Sequence, residues 1–228
     1  MECIVLAGGL GTRLRSEVED LPKCMAPVNG LPFLEYVFQY LESQFVDHVV
    51  LSLGYKHEAV TDWLNGKAFT FKIERVLEAE PMGTGGGIKL ALRKCTEAQT
   101  FILNGDTLFK ADLHAMKAGL QPTDKAVLAL KRMEKFDRYG AVRTDADNRV
   151  IAFEEKKYCE QGLINGGVYL LNNALVNPRH FPDKFSFEKD FLEPEAANRS
   201  LRGYEDEGYF IDIGIPEDFR RAQKELGG

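Results

Sequence analysis

Two patterns of apolar and polar positions alternate through the first half of the chain. Short, nearly continuous apolar runs are typical of strands buried on both faces, and they cover residues 3–7, 48–53, 71–76 and 100–103. Between these runs, apolar residues recur at the period of an amphipathic helix, which predicts helices over 33–45, 57–64 and 85–94. This alternation predicts an α/β fold: a doubly wound, Rossmann-like, mostly parallel sheet.

The second half of the chain has a different pattern, in which strand-like segments follow one another with little helix between them. The predicted strands cover 126–131, 141–143, 150–154 and 163–171. The sequence Asp145-Ala146-Asp147-Asn148 predicts a tight hairpin turn between two of them. Helices are predicted over 186–198, with Ser186 as the N-cap, and over 217–226. We interpret this half as a β-rich extension that binds a second ligand, within a single domain of residues 1–228 whose two parts divide near residue 110.

Composition and charge exclude several classes of protein. Hydrophobic residues make up 44% and charged residues 28% of the 228 residues, which is ordinary for a globular domain. The net charge of −6 argues against nonspecific nucleic-acid binding. No apolar run is long enough to cross a bilayer, and no basic segment precedes the first strand, so neither a membrane span nor a signal peptide is expected. The four scattered cysteines form no Cys-x-x-Cys pair, which indicates free thiols in a reducing cytoplasm.

A glycine-rich turn follows the first predicted strand. Glycines at positions 8, 9 and 11 are followed by Arg13 and Lys23. Glycine lets backbone N–H groups approach an anion closely, and the two cations add a forked donor and a point charge. The pattern therefore predicts a phosphate site. An ordinary strand–turn–helix connection with surface cations is the open alternative.

Three further clusters are expected at the carboxyl ends of strands, where ligands bind in open α/β sheets. They are a second glycine cluster at 83–87, Asn104-Gly105-Asp106, and Asp212 within the apolar run 210–213. An ionised carboxylate among apolar residues is costly unless a cation or donors meet it. Proteins usually hold magnesium with one or two carboxylates plus substrate phosphates. Asp106 and Asp212 are thus candidate Mg²⁺ ligands, and the alternative is that each caps a turn or a helix.

Polar residues also cluster in the second half, at Glu155-Lys156 and at Asn165-Gly166-Gly167. Such residues at strand ends suit the recognition of hydroxyls and a phosphate. The alternative is that Glu154-Glu155-Lys156-Lys157 is only a solvated run of charges.

Seven short motifs follow one another along the chain: Leu6-Ala7-Gly8-Gly9-Leu10-Gly11-Thr12-Arg13-Leu14, Pro22-Lys23, Gly83-Thr84-Gly85-Gly86, Gly105-Asp106, Glu155-Lys156, Asn165-Gly166-Gly167 and Asp212-Ile213-Gly214. In this order they resemble the sugar-1-phosphate nucleotidyltransferases over essentially the whole chain. Within that family, the loops at 23–27, 30–34, 136–140 and 185–190 are most similar to guanylyltransferases acting on D-glycero-α-D-manno-heptose 1-phosphate. Cys24 stands where relatives often have proline, and we expect no appended β-helix or acyltransferase domain of the kind found in some relatives.

The resemblance implies a transfer in which a sugar 1-phosphate attacks the α-phosphorus of a nucleoside triphosphate and pyrophosphate leaves. Arg13 would hold the pyrophosphate, Lys23 would stabilise charge at the α-phosphate, and Asp106 and Asp212 would hold Mg²⁺. We further hypothesise that Glu78 or Glu80 accepts hydrogen bonds from guanine N1–H and N2–H, and the open alternative is that both are solvated acids before a proline. The nucleotide-binding part would be about 1–110, with contacts from Leu6, Ala7, Gly8, Gly9, Gly11, Thr12, Glu80, Gly83, Thr84, Gly85, Asn104 and Gly105.

The sugar-binding part implied by the resemblance is about 111–228, where Lys156 would clamp the sugar phosphate. Contacts to the sugar phosphate would come from Gly140, Glu155, Lys156, Asn165 and Gly166. The expected partners are GTP or UTP and a sugar 1-phosphate, with no nucleic acid and no membrane, and a homodimer is left open. Two alternatives remain: a uridylyltransferase acting on N-acetylmuramate or hexose 1-phosphate, and a regulatory protein that binds nucleotide sugars without turnover.

Overall fold

The computed structural model describes residues 1–9, 14, 18, 21–176 and 180–227. In chain order its strands are β1 (Glu2–Ala7), β2 (Pro27–Val28), β3 (Leu31–Pro32), β4 (His48–Leu53), β5 (Lys72–Leu77), β6 (Gln99–Asn104), β7 (Thr107–Phe109), β8 (Ala126–Phe136), β9 (Ala141–Thr144), β10 (Val150–Phe153), β11 (Cys159–Asn172), β12 (Leu201–Glu205) and β13 (Phe210–Asp212). The α-helices are α1 (Phe33–Ser43), α2 (His57–Leu64), α3 (Gly83–Ala91), α4 (Leu113–Gly119), α5 (Glu193–Ala197) and α6 (Pro216–Glu225).

A parallel sheet forms the first half of the molecule, as the apolar runs predict. β6, β1, β4 and β5 lie side by side in that order, and every neighbouring pair is parallel. Alternate residues of β1 belong to two separate cores: Cys3 and Val5 pack with Val37 of α1, whereas Ile4 packs with Ile88 of α3. Both faces of the sheet are therefore covered, and the prediction of a doubly wound, Rossmann-like α/β fold is confirmed.

The second half extends the same sheet with antiparallel strands. β11 pairs with β8 along one side; on its other side it pairs with β6 through its second half and with β9 through its first half, and β9 pairs with β10. β12 then pairs in parallel with β8. Between Asn165 and Tyr169 the register of β11 against β8 shifts, which is typical of a bulge that redirects side chains. The predicted β-rich extension is thus continuous with the parallel sheet.

The segment predicted as one helix over 186–198 consists of two consecutive helical segments. A π-helical turn, Phe187–Leu192, runs into α5. Pro194 lies at the start of α5, and because proline has no N–H it cannot bond the carbonyl four residues earlier. The predicted cap is confirmed, since Ser186 Oγ accepts a hydrogen bond from the Lys189 N–H at 3.2 Å.

The periodicity did not predict β2, β3 and β12, nor two further short elements, α4 and β7. α4 has seven residues, of which only Leu113 and Met116 are buried apolar residues, and Asp112 caps it by accepting from the Ala115 N–H. β7 has three residues and pairs with β13 rather than with the large sheet. Both elements are too short for a periodic signal.

Two expectations from composition can be compared with the fold. The four cysteines are all free, and Cys3 and Cys24 are buried. Within the described part of the chain, no helix has the length and apolar character needed to cross a membrane.

Candidate active site

A cavity of about 470 Å³ opens where the carboxyl ends of β1 and β6 meet. Its walls come from the turn after β1, the loop before α3, the end of β6 and the turn after β13. The lining residues are Leu6, Ala7, Gly8, Gly9, Lys23, Cys24, Glu78, Pro81, Gly83, Thr84, Asn104, Gly105, Asp106 and Gly214. The structure therefore brings together most of the residues predicted to contact the nucleotide. Gly11, Thr12 and Arg13 lie outside the described residues.

Gly105 holds the two central strands together at the floor of this cavity. Its N–H donates to the Leu6 carbonyl at 2.9 Å. A Cβ at this position would lie 2.7 Å from the same oxygen, so a side chain would push β1 and β6 apart. The glycine thereby sets the position of the next residue, Asp106.

Lys23 and Asp106 form an ion pair in the wall of the cavity. Lys23 begins a 3₁₀ turn, Lys23–Met25, directly after Pro22. Its Nζ lies 2.5 Å from Asp106 Oδ2, and the Lys23 side chain is 17% exposed while that of Asp106 is 35% exposed. A pair with this burial is less screened by water than a surface ion pair. The amine is thus held at the carboxylate.

Asp212 comes close to the same pair through the small sheet formed by β7 and β13. In that sheet Asp212 is opposite Thr107, and the Ile213 N–H donates to the Asp106 carbonyl at 3.0 Å. The Gly214 N–H donates to Asp212 Oδ1 at 2.6 Å. The two aspartates predicted from separate strand ends are therefore neighbours.

The electrostatics of Asp212 reflect this arrangement. Burial and the negative charge of Asp106 raise the pKa of Asp212, and the ammonium of Lys23 opposes the shift. A Cβ at Gly214 would lie 2.7 Å from Asp212 Oδ1 and 3.1 Å from Lys23 Nζ. Because glycine has no side chain, both charged groups can reach this point. Two carboxylates in such a position are stabilised by a cation.

The two carboxylates fit a magnesium ion held jointly with a ligand. Among the described residues, no group of three or more His, Cys, Asp or Glu side chains could hold a metal ion. Magnesium is usually bound by one or two carboxylates, with substrate phosphates and waters completing its coordination. A pair of aspartates beside this cavity meets that requirement, provided that the ligand carries phosphate oxygens.

The second glycine cluster has mainly a packing role. A Cβ at Gly85 would lie 2.3 Å from a ring carbon of Phe185, and one at Gly86 would lie 2.3 Å from the Asp183 carbonyl. The Gly85 N–H already donates to the Phe185 carbonyl at 3.1 Å. Gly85, predicted to contact the nucleotide, is therefore buried beneath another segment and does not line the cavity. Gly83 and Thr84 do line it.

Glu78 rather than Glu80 stands in the cavity wall. Ser52 Oγ donates to Glu78 Oε1 at 3.0 Å, and the Met82 N–H donates to Oε2 at 3.1 Å. A Cβ at Gly8 would lie 2.6 Å from Oε1, so this carboxylate is packed against the glycine turn. Glu80 is exposed and lines only a neighbouring cavity of about 430 Å³. Of the two acids considered from sequence, the structure thus places Glu78 beside the residues predicted to contact the nucleotide.

The predicted sugar contacts at Asn165 and Gly166 lie on the bulge of β11. Asn165 Nδ2 donates to the Tyr169 hydroxyl at 2.9 Å, and Asn165 Oδ1 accepts from the Gly167 N–H at 3.0 Å. Gly167 has φ +73°, and a Cβ there would lie 2.9 Å from Asn104 Nδ2. This segment therefore lies directly behind Asn104 in the cavity wall.

The other predicted sugar contacts lie further away. Glu155 and Lys156 are exposed in the loop after β10. Gly140 lies beside the same loop, because a Cβ there would lie 2.3 Å from the Glu154 carbonyl. The structure brings these three residues to one loop region but not into the lining of the cavity.

Two polar residues near the cavity were missed in the sequence. Glu188 accepts a hydrogen bond from the hydroxyl of Thr84, 104 residues earlier in the chain, and no local pattern links the two. Tyr139 packs edge-on against Phe210, with ring centroids 5.9 Å apart. Burial and the charges of Asp212 and Asp218 raise the pKa of Tyr139 to about 12. The only signal in the sequence for this contact of Tyr139 was that Phe210 of β13 is also aromatic.

Comparisons with known proteins agree with this geometry. A family model described as nucleotidyl transferase matches residues 2–227. A D-glycero-alpha-D-manno-heptose 1-phosphate guanylyltransferase of Aneurinibacillus thermoaerophilus is 51% identical over 227 residues, covering 99% of this chain and 98% of that protein. A protein of the same name from Campylobacter jejuni is 46% identical over 219 residues, covering 96% of this chain and 97% of that protein. The crystal structure of HddC from Yersinia pseudotuberculosis complexed with GMP-PN superposes with a TM-score of 0.87 at 35% identity, covering 99% of both chains.

Proposed function

The chain belongs to the nucleotidyl transferase family, and we propose that it transfers a guanylyl group from GTP to a sugar 1-phosphate, releasing pyrophosphate. The observation that carries this proposal is the meeting of Lys23, Asp106 and Asp212 at one cavity beside the glycine turn. Such a site combines a cation for phosphate with two carboxylates for a metal, which is what polyphosphate chemistry requires.

The relatives support the choice of substrates. Two whole-length relatives carry the name D-glycero-alpha-D-manno-heptose 1-phosphate guanylyltransferase, and HddC was crystallised with GMP-PN. We therefore propose GTP and D-glycero-α-D-manno-heptose 1-phosphate as substrates and the GDP-heptose as product. The free thiols of the four cysteines support a location in the cytoplasm.

In the proposed mechanism the protein aligns two anions and neutralises their charge. The phosphate oxygen of the sugar 1-phosphate is ionised near neutral pH, so the attack needs no general base from the protein. Lys23 would leave Asp106 for the α-phosphate, and the turn at Gly8 and Gly9 would bind the triphosphate through backbone N–H groups. Asp106 and Asp212 would hold Mg²⁺, which when bound neutralises charge on the reacting phosphates. The roles of Arg13, with pyrophosphate, and of Lys156, with the sugar phosphate, stay predictions.

A substrate panel tests the proposal. Pyrophosphate release is measured with GTP, UTP, ATP and CTP, each against heptose, mannose, glucose and N-acetylmuramate 1-phosphates. We expect the highest kcat/KM for GTP with the heptose 1-phosphate. Preferential use of UTP with a hexose or N-acetylmuramate 1-phosphate would replace the proposal with the uridylyltransferase alternative. Nucleotide binding without pyrophosphate release from any pair would indicate a regulatory protein.

Replacing Glu78 by glutamine is expected to weaken the preference for guanine. Each carboxylate oxygen of Glu78 has one protein donor and a second lone pair, so the group can accept from guanine N1–H and N2–H. Hydrogen bonds to a charged acceptor contribute about 1.5–3 kcal/mol, so kcat/KM for GTP should fall by about tenfold to a hundredfold. The measurement compares GTP, ITP and UTP, because ITP lacks the amino group.

Glu80→Gln is the matched control, since it removes the same charge two residues away. It should leave the ratio of kcat/KM for GTP and ITP unchanged. If Glu80→Gln changed that ratio and Glu78→Gln did not, the guanine contact would belong to Glu80.

A further inference from the structure

Glu188 stands between the nucleotide-facing wall of the cavity and the bulge of β11. It lies in the π-helical turn Phe187–Leu192 and is half-buried. Its Oε2 accepts hydrogen bonds from the hydroxyls of Thr84, at 2.6 Å, and of Ser186, at 3.0 Å. Because Thr84 lines the cavity, this carboxylate lies one hydrogen bond behind the cavity wall.

The other side of Glu188 faces the segment predicted to contact the sugar. The ring of Phe187, its neighbour in the chain, packs edge-on against the buried ring of Tyr169, with centroids 5.2 Å apart. Burial and the charge of Glu188 both raise the pKa of Tyr169, so the two groups are close. The Tyr169 hydroxyl in turn accepts from Asn165. Glu188 is thus located where the two predicted halves of the site meet.

Among the described residues, none forms an ion pair with the carboxylate of Glu188. Two nearby acids have lysine partners: Asp183 pairs with Lys89 at 2.9 Å and Glu195 pairs with Lys125 at 2.8 Å. Glu188 has two neutral hydroxyl donors instead, both on Oε2. Within the described ranges, its Oε1 has no hydrogen-bond partner and no cation pairs with it. Oε1 therefore keeps its capacity to accept a hydrogen bond from a further donor.

The charge of Glu188 indicates which part of a sugar phosphate it would receive. A carboxylate only accepts hydrogen bonds, and it repels phosphate. The phosphate end of the ligand is therefore directed towards Lys23, and a hydroxyl of the uncharged sugar ring is a suitable donor for Oε1. The donors already on Oε2 fix the carboxylate, which lowers the entropic cost of such a contact.

We propose that Glu188 is a specificity-determining residue of this site, whose Oε1 accepts a hydrogen bond from a hydroxyl of the sugar 1-phosphate while Thr84 and Ser186 hold Oε2. This inference rests on the proposed function. It goes beyond that function because it assigns sugar recognition to a residue outside the Glu155-Lys156 and Asn165-Gly166 motifs.

Replacing Glu188 by glutamine tests the contact. The carbonyl oxygen of glutamine can still accept from Thr84 and Ser186, so the amide NH₂ would take the place of Oε1 and present a donor instead of an acceptor. We expect KM for the sugar 1-phosphate to rise about tenfold or more, the scale of a lost charged hydrogen bond. KM for GTP should stay within about twofold, and the melting temperature should not change.

Monodeoxy sugar 1-phosphates provide the decisive second measurement. In the wild-type protein, removing the recognised hydroxyl from the sugar should lower kcat/KM about tenfold. In Glu188→Gln, kcat/KM for the same analogue should be no more than about twofold below that for the complete sugar 1-phosphate. This coupling is a double-mutant cycle between protein and ligand, and a merely structural role of Glu188 would not produce it. Glu188→Asp, which keeps the charge but withdraws it by one methylene, should also raise KM for the sugar and is the variant used if Glu188→Gln does not fold.

Glu193→Gln is the matched control, because it removes one exposed carboxylate of α5 and should leave both KM values unchanged. The inference is overturned if Glu188→Gln raises KM for GTP and for the sugar equally, or if every monodeoxy analogue loses as much kcat/KM in Glu188→Gln as in the wild-type protein. Pyrophosphate release by the wild-type protein in the same assay establishes the reaction, so an unchanged sugar KM in Glu188→Gln overturns the role of Glu188 alone. A wild-type protein inactive with every sugar 1-phosphate would overturn the proposed function as well.

Discussion

Lys23→Ala is expected to lower kcat by at least about a hundredfold while the protein stays folded, the usual cost of removing one donor that stabilises transition-state charge. The Lys23 ammonium is 2.5 Å from Asp106 Oδ2 and reaches Gly214 beside Asp212. It lines the same cavity as the glycine turn. A bound triphosphate competes with Asp106 for this cation, so the amine can move to the phosphates without crossing the protein.

The structure also predicts whether Lys23→Ala affects kcat or KM more strongly. Charge on the phosphates increases in the transition state, so kcat should fall more than KM for GTP rises. The measurement is steady-state pyrophosphate release together with a thermal melt of each variant.

Lys72→Ala serves as the control for Lys23→Ala. Lys72 lies at the amino end of β5 and pairs with Glu74 at 2.6 Å, so it is at the end of the sheet away from the cavity. Its removal changes the net charge equally and should leave kcat unchanged. Near-normal turnover in Lys23→Ala would exclude the role assigned to this lysine.

The parts of the site that could be predicted from sequence are those encoded by adjacent residues. An apolar strand followed directly by Gly105-Asp106, or ending in Asp212-Ile213-Gly214, shows that a carboxylate stands at a strand end. The parallel order of β6 and β1 then determines that one such end lies beside the glycine turn. The local pattern and the general rule for open sheets were sufficient for this inference.

The remaining features depend on residues that are distant in the chain. The glycines at 83–87 were interpreted as a nucleotide-binding motif, yet Gly85 and Gly86 lack side chains because the backbone and ring of 183–185 pack against them. The bond between Thr84 and Glu188 likewise joins positions 104 residues apart. A single sequence shows that a glycine is present, but it does not show whether a ligand or another segment approaches it.

Asp212→Asn is expected to lower kcat/KM by about a thousandfold and to raise the melting temperature of the metal-free protein at neutral pH. Loss of one of the two carboxylates proposed to hold the metal would remove several kcal/mol of charge stabilisation from the transition state. The folded protein should nevertheless become more stable. Burial and the charge of Asp106 raise the pKa of Asp212, which means that the ionised carboxylate destabilises the folded state. The asparagine is neutral, and its Oδ1 can still accept from the Gly214 N–H, which now donates to Asp212 Oδ1 at 2.6 Å.

The effect of Asp212 on stability has a defined dependence on pH. A folded-state pKa above the unfolded value of about 3.9 means that ionisation costs the folded protein more than the unfolded chain. The stability that the acid form provides below the unfolded-state pKa is therefore lost as pH rises through the folded-state pKa. The melting temperature of Asp212→Asn minus that of the wild type should accordingly be small at acid pH and grow as pH rises to 7.

Thermal melts in EDTA, recorded from pH 4 to pH 8, measure this difference in melting temperature. Asp145→Asn is the control, because it should change the melting temperature in the opposite direction. The Arg149 N–H lowers the pKa of Asp145, with further contributions from Arg199 and the Asp147 N–H, so its ionised form favours the folded state. Removing that charge should lower the melting temperature at pH 7, and the loss should shrink towards acid pH. If Asp212→Asn also melted lower than the wild type at pH 7, the two aspartates would not repel each other as the structure indicates. A stabilised but inactive Asp212→Asn protein would show that the carboxylate is retained for catalysis at a cost in stability.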